Sequence, residues 1–108
     1  MRFFGLKSCD TCRKALKSLA GRDVTVIDVR SDGVSEDDRA AMIAAFGANV
    51  LNTRSTTWRG LSEDERAKDP AELLAAYPTL MKRPVIEIDG AWHQGWTPAT
   101  RAAAGVEE

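Results

Sequence analysis

Long apolar runs are missing from this chain of 108 residues. No stretch approaches the ~20 apolar residues that a membrane-spanning helix needs, which argues against a helical membrane protein. The N-terminus, Met1 to Gly5, also lacks the apolar segment of a signal peptide. We therefore expect a cytoplasmic protein that works in a reducing compartment and does not bind a membrane.

Cysteine and histidine are scarce, because the chain has only two cysteines, Cys9 and Cys12, and one histidine, His93. A structural zinc site needs four ligands, so these three side chains do not complete one, and no metal site is predicted. In a reducing compartment a Cys-x-x-Cys pair is more often catalytic, redox-sensing or metal-binding than a structural disulfide. A lone histidine beside a hairpin is usually structural, so His93 is given no catalytic role.

Neither sign of charge dominates the chain, whose net charge is -1. This balance argues against a nucleic-acid binder. The charge is unevenly spread, since residues 1–30 carry seven basic and three acidic side chains and residues 31–78 carry five basic and nine acidic ones. The end of the chain that contains the cysteines is therefore locally cationic, which favours thiolates and anionic substrates.

Hydrophobic periodicity and turn residues divide the chain into strands and helices. The predicted strands are residues 2–6, 24–27, 85–88 and 91–93, and the predicted helices are residues 10–19, 35–46 and 70–77 and a last helix from residue 97. Asp89 and Gly90 form a strong two-residue hairpin signal. Residues 49–60 show no clear periodicity, and the acidic residues between 63 and 72 predict a solvated helix face.

The order of these elements is strand, helix, strand, a helical stretch, two strands and a final helix. The first strand–helix–strand unit predicts two parallel strands with a right-handed crossover. This is the α/β arrangement of a thioredoxin-like fold, a mixed four-stranded sheet with a helical insertion at about residues 35–78. The length and the absence of repeats and linkers predict a single domain over residues 1–108.

Cys9 and Cys12 directly follow the first strand, at the predicted start of a helix. The positive end of the helix dipole stabilises a thiolate there, so the pKa of Cys9 is expected to fall from ~8.5 to ~4–7. Cys9 is the predicted nucleophile, and Cys12, one turn further in, is the predicted resolving thiol. Two buried small residues, or half of a zinc site, are the alternatives.

Two other segments have polar side chains that suggest binding. Residues 52–59 are almost all hydrogen-bonding or cationic, which suits an anion-binding loop with Arg54 as a bidentate donor. The alternative is a solvated loop packed by Trp58. Arg83 and Pro84 precede a strand at the position where thioredoxin-like folds place a cis proline opposite the reactive thiol. Because only ~5–6% of X–Pro bonds are cis, composition alone favours a trans proline at the start of the strand.

Three separated motifs together resemble the arsenate reductase-like (ArsC) branch of the thioredoxin superfamily. The motifs are FGLKSCDTCRKA at residues 4–15, LNTRSTTWR at 51–59 and LMKRPV at 80–85. Within this branch the chain is most similar to the small YffB-like proteins, with the Spx regulators as relatives. The resemblance covers nearly the whole chain, and the second motif is its most diagnostic part.

The resemblance implies a set of site residues. Cys9 would be the nucleophile, Arg54 and Arg83 would hold an anion near it, and Pro84 would be the cis proline. The wider set predicted to bind glutathione or substrate consists of Lys7, Ser8, Asp10, Thr11, Arg13, Arg54, Arg59, Arg83 and Pro84. No tightly bound cofactor is predicted. Glutathione is the expected co-substrate, glutaredoxin is a possible partner, and the chain is expected to be a monomer.

Two departures from the branch bear on the activity. Arsenate reductases have a further arginine near the start of the last helix, whereas residues 93–97 of this chain include none. The loss of one charge-assisted donor weakens oxyanion binding by roughly 1.5–3 kcal/mol. Arsenate reductases also tend to lack a thiol at the position of Cys12, whose presence here permits an internal disulfide.

The leading prediction is therefore a glutathione-dependent thiol–disulfide reductase. Its Cys9 thiolate would be stabilised by the helix N-terminus and by Arg13, Arg54 and Arg83. One alternative is an arsenate reductase that uses glutathione and glutaredoxin. The other is a redox-switched transcriptional regulator of the Spx type, in which a disulfide between Cys9 and Cys12 changes the affinity for RNA polymerase.

Overall fold

A four-stranded mixed sheet organises the computed structural model, which describes residues 1–106. The strands are β1 (Arg2–Gly5), β2 (Thr25–Asp28), β3 (Val85–Ile88) and β4 (Ala91–Gln94). They lie in the order β2-β1-β3-β4, with β1 parallel to β2 and the other two pairs antiparallel. The predicted α/β fold class and the parallel first pair are confirmed.

Helix α1 (Asp10–Ser18) connects the two parallel strands. It begins at the predicted residue and ends one residue before the predicted end, with Leu19 as its C-cap. Strand β2 begins at Thr25, one residue later than predicted. The glycine that follows the helix, Gly21, has a φ of 87°, a conformation that favours glycine and allows the chain to turn back toward the sheet.

Between β2 and β3 the chain is mostly helical. Helix α2 (Glu36–Phe46) begins at the predicted cap, where the Ser35 side chain accepts from the backbone N–H of Asp38 at 3.1 Å. The helices that follow are α3 (Thr56–Arg59), α4 (Glu63–Arg66) and α5 (Pro70–Ala76), and 3₁₀ turns lie at Gly47–Val50 and Pro78–Leu80.

Two expectations for this stretch need correction. Residues 49–60, which lack periodicity, contain α3, because the Ser55 hydroxyl caps a single turn by accepting from the N–H of Trp58. The acidic residues between 63 and 72 are predicted to form a solvated helix face, and all but Glu65 are exposed, on α4, on α5 or at the N-cap of α5. Glu65 is not merely solvated, since its carboxylate accepts a hydrogen bond from the Tyr77 hydroxyl.

The strands β3 and β4 and the last helix lie close to the bounds predicted from the sequence. Asp89 and Gly90 have positive φ values of 49° and 83°, as a type I′ hairpin turn between β3 and β4 requires. Helix α6 (Pro98–Ala103) begins at the predicted Thr97 cap, whose hydroxyl accepts from the N–H of Thr100 at 3.2 Å. Within residues 1–106 no helix has the length and apolar character to span a membrane.

The sheet separates two apolar cores, because successive residues of β1 point to opposite faces. Phe4 packs with Met42 and Leu73 on the face covered by α2 and α5. Phe3 packs with Cys12 and Ala15 on the face covered by α1. Helix α1 is thereby held against the sheet, which fixes the position of its N-terminus beyond the end of β1.

Candidate active site

Cys9 is the N-cap residue of α1, where the first backbone N–H groups of the helix are without carbonyl partners. Its Sγ accepts a hydrogen bond from the backbone N–H of Cys12 at 3.3 Å. Its own N–H donates to the carbonyl of Leu6 at 3.0 Å, which holds the loop after β1 in place. Both cysteines are free thiols, with Cys9 half-buried and Cys12 buried.

The surroundings shift the pKa values of the two thiols in opposite directions. Burial raises the pKa of Cys9, but hydrogen bonds from the side chain and backbone of Cys12, together with the Arg83 guanidinium, lower the pKa below its ordinary value. Burial and the neighbouring Cys9 raise the pKa of Cys12 to about 12. Cys9 is therefore the thiol that ionises first, as the sequence predicts, and Cys12 stays protonated at neutral pH.

Arg83 is fixed next to Cys9 by the protein backbone. Its Nη1 donates to the carbonyl of Thr79 at 2.6 Å and to that of Met81 at 3.2 Å. The Arg83–Pro84 peptide bond is cis, as the resemblance implies. Two of the residues predicted around the thiol, Arg83 and Pro84, are thus at the end of the sheet where α1 begins.

The other predicted arginines differ from Arg83 in their contacts. Arg13 pairs with Asp10 through an Nη2–Oδ1 distance of 2.7 Å, and both side chains are largely exposed. Arg54 and Arg59 are exposed, and the backbone N–H of Arg54 donates to the Asn52 side chain. Arg83 is the arginine among the largest influences on the Cys9 pKa. The predicted stabilisation of the thiolate by Arg13 and Arg54 remains a prediction.

The remaining predicted binding residues surround the start of α1. Lys7, Ser8, Asp10 and Thr11 are all exposed. A cavity of about 330 Å³ lies between α1 and the edge strand β2, and its lining includes Lys7, Arg13 and Cys12. A smaller cavity of about 230 Å³ shares Lys7 and extends to Ser8, the residue before the candidate nucleophile. In the described part of the chain no three His, Cys, Asp or Glu side chains are grouped so as to hold a metal ion.

One residue near this site was not found by reasoning from the sequence. A Cβ atom at Gly5 would lie 2.7 Å from the Phe3 ring and 3.1 Å from Cys12 Sγ, so only glycine lets Cys12 pack against β1. An isolated glycine in a strand is the sequence signal for such a close approach.

The fold and the site together define a thioredoxin-like protein with an acidic cysteine at the first helix and a cis proline before the third strand. The family model of the ArsC family matches residues 4–104. The chain belongs to the ArsC family. This match confirms the family predicted from the three sequence motifs and supports the coarser functional prediction of a thiol-dependent reductase family.

Several relatives show how far this similarity extends. An uncharacterised protein of Haemophilus influenzae is 43% identical over 96 residues, covering 81% of this chain and 82% of that protein. The YffB protein structure is 34% identical, with a TM-score of 0.87 and coverage of 95% and 96% of the two chains. An arsenate reductase-related protein from Brucella melitensis is 35% identical, with a TM-score of 0.71 and coverage of 94% and 91%.

One more distant structure is similar in fold alone. The arsenate reductase from Vibrio cholerae is 18% identical to this chain, with a TM-score of 0.71 and coverage of 99% and 98%. At this identity the comparison supports the thioredoxin-like architecture and does not transfer the activity.

Proposed function

We propose that this protein is a glutathione-dependent thiol–disulfide reductase in which Cys9 is the nucleophile. The observation that carries the proposal is the position of Cys9 at the N-cap of α1, where the Cys12 backbone N–H donates to its sulfur at 3.3 Å. The nearby Arg83 guanidinium further lowers the pKa of this thiol. A thiolate with these partners is the reactive species in thiol–disulfide exchange.

In the proposed reaction the Cys9 thiolate attacks one sulfur of a disulfide. A new bond forms between Cys9 Sγ and that sulfur, the original S–S bond breaks, and the other half leaves as a thiolate. A glutathione thiolate then attacks the substrate sulfur of the mixed disulfide, so that a glutathione–substrate disulfide forms, the bond to Cys9 Sγ breaks and Cys9 leaves as a thiolate. Burial raises the pKa of Cys12, which makes it a poor nucleophile at neutral pH and favours glutathione as the resolving thiol.

Glutathione carries two carboxylates, and cationic side chains line the cavities beside α1. Lys7 lines both cavities beside α1, and Arg13 lines the larger one. Arg54 is exposed and is the predicted bidentate partner for a carboxylate.

An Arg54→Ala change is expected to raise the KM for glutathione more than it lowers kcat. An unchanged KM would contradict a role of Arg54 in binding glutathione.

Mass spectrometry of the intact protein tests the proposal directly. The reduced protein is exposed to oxidised glutathione, and the product is mapped to peptides. We expect a glutathione adduct on Cys9, its retention in Cys12→Ser and its loss, together with turnover, in Cys9→Ser. A Cys9–Cys12 disulfide without an adduct would favour a dithiol exchanger or a redox switch, and turnover by Cys9→Ser would contradict the mechanism.

A second candidate function is arsenate reduction with glutathione and glutaredoxin. The family membership and the cationic Arg83 beside Cys9 favour it. The absence of an arginine from residues 93–97 removes one donor for a multiply charged oxyanion. A coupled assay with arsenate, glutathione and glutaredoxin is expected to show little turnover relative to thiol–disulfide exchange. Turnover that depends on Cys9 and exceeds that exchange would make arsenate the preferred substrate.

A further inference from the structure

A carboxylate at the end of β2 lies beside the loop that leads from β1 to Cys9. Gly5, the last residue of β1, pairs with Asp28, the last residue of β2. The backbone N–H of Val29 donates to the carbonyl of Gly5 at 2.9 Å, which holds the two strand ends together. Asp28 is therefore next to residues 6–8, the segment before the candidate nucleophile.

The Asp28 carboxylate accepts hydrogen bonds from three backbone N–H groups. Its Oδ2 accepts from Lys7 at 3.2 Å. Its Oδ1 accepts from Arg30 at 2.9 Å and from Ser31 at 3.1 Å. Hydrogen bonds from these N–H groups, that of Ser31 foremost, lower the pKa of the Asp28 side chain below its ordinary value, so the carboxylate is ionised at neutral pH. One carboxylate thus connects the turn after β2 to the loop before Cys9.

The contact with Lys7 reaches Cys9 through a single peptide group. The carbonyl of Leu6 and the N–H of Lys7 belong to one planar peptide group, so fixing the direction of one fixes that of the other. The Leu6 carbonyl accepts from the N–H of Cys9 at 3.0 Å. The Lys7 N–H, which points the opposite way, donates to Asp28. Asp28 therefore restrains the peptide group that holds the backbone of Cys9.

The position of Cys9 decides which groups reach its sulfur. At the N-cap of α1 its Sγ accepts from the Cys12 N–H at 3.3 Å. Cys12 and Arg83 are the titratable groups with the largest influence on this thiol. Movement of the loop would carry the Cys9 sulfur away from these donors, and the thiolate would lose stabilisation.

We propose that Asp28 is a positioning residue for the nucleophile: its carboxylate holds the Lys7 N–H and thereby keeps Cys9 at the N-cap of α1. The inference rests on the proposed function, because it takes Cys9 as the reacting thiol. Asp28 transfers no proton or electron, and the exchange of sulfur bonds at Cys9 is unchanged. Its contribution is the geometry of residues 6–9.

An Asp28→Asn change separates the two sides of the carboxylate. The amide oxygen takes the place of Oδ1 and accepts from Arg30 and Ser31, as asparagine does in turns. The amide nitrogen then faces the Lys7 N–H, so that a donor meets a donor and this hydrogen bond is lost. The variant is expected to keep the turn after β2 and to release the loop before Cys9.

The pH midpoint of Cys9 alkylation distinguishes positioning from charge by the direction of its shift. Removing a nearby negative charge would by itself favour the thiolate and lower the midpoint. Release of the loop takes the Cys9 sulfur away from its donors and raises the midpoint. We expect Asp28→Asn to raise it and to slow mixed-disulfide formation with oxidised glutathione at neutral pH about three- to tenfold, the effect of one lost hydrogen bond.

Two further variants serve as controls. Asp23→Asn changes the net charge equally, because Asp23 is an exposed carboxylate between α1 and β2. It should leave the midpoint and the rate unchanged. Asp28→Ala removes all three acceptor contacts, so it should lower the free energy of unfolding in urea more than Asp28→Asn does and should also raise the midpoint. The comparison separates the stability of the fold from the reactivity of Cys9.

An unchanged or lowered midpoint in Asp28→Asn would overturn the inference, since the carboxylate would then act on Cys9 through its charge or not at all. An equal upward shift in Asp23→Asn would also contradict it. Failure of the unmodified protein to react with oxidised glutathione would contradict the proposed function instead. Alkylation requires no disulfide, so in that case the midpoint still decides whether Asp28 positions Cys9.

Discussion

At the scale of single residues, two chemically identical thiols three positions apart differ in acidity because they face different surroundings. Cys9 caps a helix and accepts an N–H, while Cys12 is buried under β1. The charged form of Cys9 is stabilised by nearby donors, whereas that of Cys12 is disfavoured by desolvation and by the adjacent sulfur. The division into nucleophile and second thiol follows from this difference.

The acidity of Cys9 is testable through its alkylation rate as a function of pH. We expect the midpoint for Cys9 to lie below that of an ordinary thiol, and Cys12 to react only at far higher pH or after unfolding. Arg83→Met removes a cation that favours the thiolate and should raise the midpoint. Lys14→Met, which removes an exposed charge from α1, should move it less. Equal shifts in the two variants would mean that Arg83 acts only through net charge.

Gly5 is expected to be intolerant of the smallest possible side chain. The Cβ of Gly5→Ala would crowd the Phe3 ring at 2.7 Å and Cys12 Sγ at 3.1 Å. Overpacking of this kind costs about 1–3 kcal/mol, so the free energy of unfolding in urea should fall by that amount. The displaced Cys12 should also become more accessible to alkylating reagents. Gly60→Ala is the matched control, because its nearest new contacts are at an ordinary 3.6 Å. A stable Gly5→Ala protein would show that the strand relaxes.

At the scale of secondary-structure elements, the caps decide where helices begin. Ser35, Ser55, Ser62 and Thr97 each precede a helix and accept from a backbone N–H three residues on. Cys9 occupies the equivalent position before α1 with sulfur in place of oxygen. The candidate nucleophile thus stands where other helices of this chain have a capping hydroxyl, and the same N–H groups that cap a helix stabilise a thiolate.

The cap of α2 gives a prediction at this scale. Ser35→Ala removes the acceptor for the Asp38 N–H and should lower the free energy of unfolding by about 0.5–2 kcal/mol. Ser35→Gly should lower the free energy of unfolding by only about a few tenths of a kcal/mol, since glycine tolerates the cap conformation. Urea unfolding followed by circular dichroism measures both. An unchanged free energy of unfolding in Ser35→Ala would show that the hydroxyl contributes nothing to stability.

At the scale of the whole molecule, Arg2 connects three parts of the fold. Its Nε donates to Glu87 of β3 at 2.7 Å, and its Nη1 donates to Asp38 of α2 at 2.8 Å. Its guanidinium carbon lies 5.2 Å from the Phe4 ring centroid and 5.5 Å from that of Trp92. This one side chain therefore holds α2 against the sheet, at the end opposite Cys9.

The Arg2 network predicts how stability changes with pH. The hydrogen bond from Arg2 lowers the pKa of Glu87 below its ordinary value of 4.5. A carboxyl whose pKa is lower in the folded state stabilises the fold above the unfolded pKa, and this contribution is lost as pH falls through the folded pKa. The free energy of unfolding should therefore decline below pH 4.5, and the decline should be shallower in Glu87→Gln. Parallel curves for the two proteins would contradict this role of Glu87.

Local sequence was sufficient for much of the fold. Ser35 predicts the start of α2, and Asp89-Gly90 predicts the hairpin, because a cap and a type I′ turn depend on residues within four positions. The sequence did not reveal α3, whose single turn is too short for periodicity to register. It also did not distinguish Arg83 from Arg13 as the cation near Cys9.

The sequence by itself determined the sheet, the main helices, the position of the two thiols at the start of α1 and the family. These features are encoded in periodicity, caps and motifs that lie close together along the chain. Only the tertiary structure decided which arginine is fixed beside Cys9, how acidic each thiol is, and that Asp28 binds the loop before Cys9. These properties depend on burial and on partners distant in sequence, which exist only once the strands are paired and α1 is packed against them.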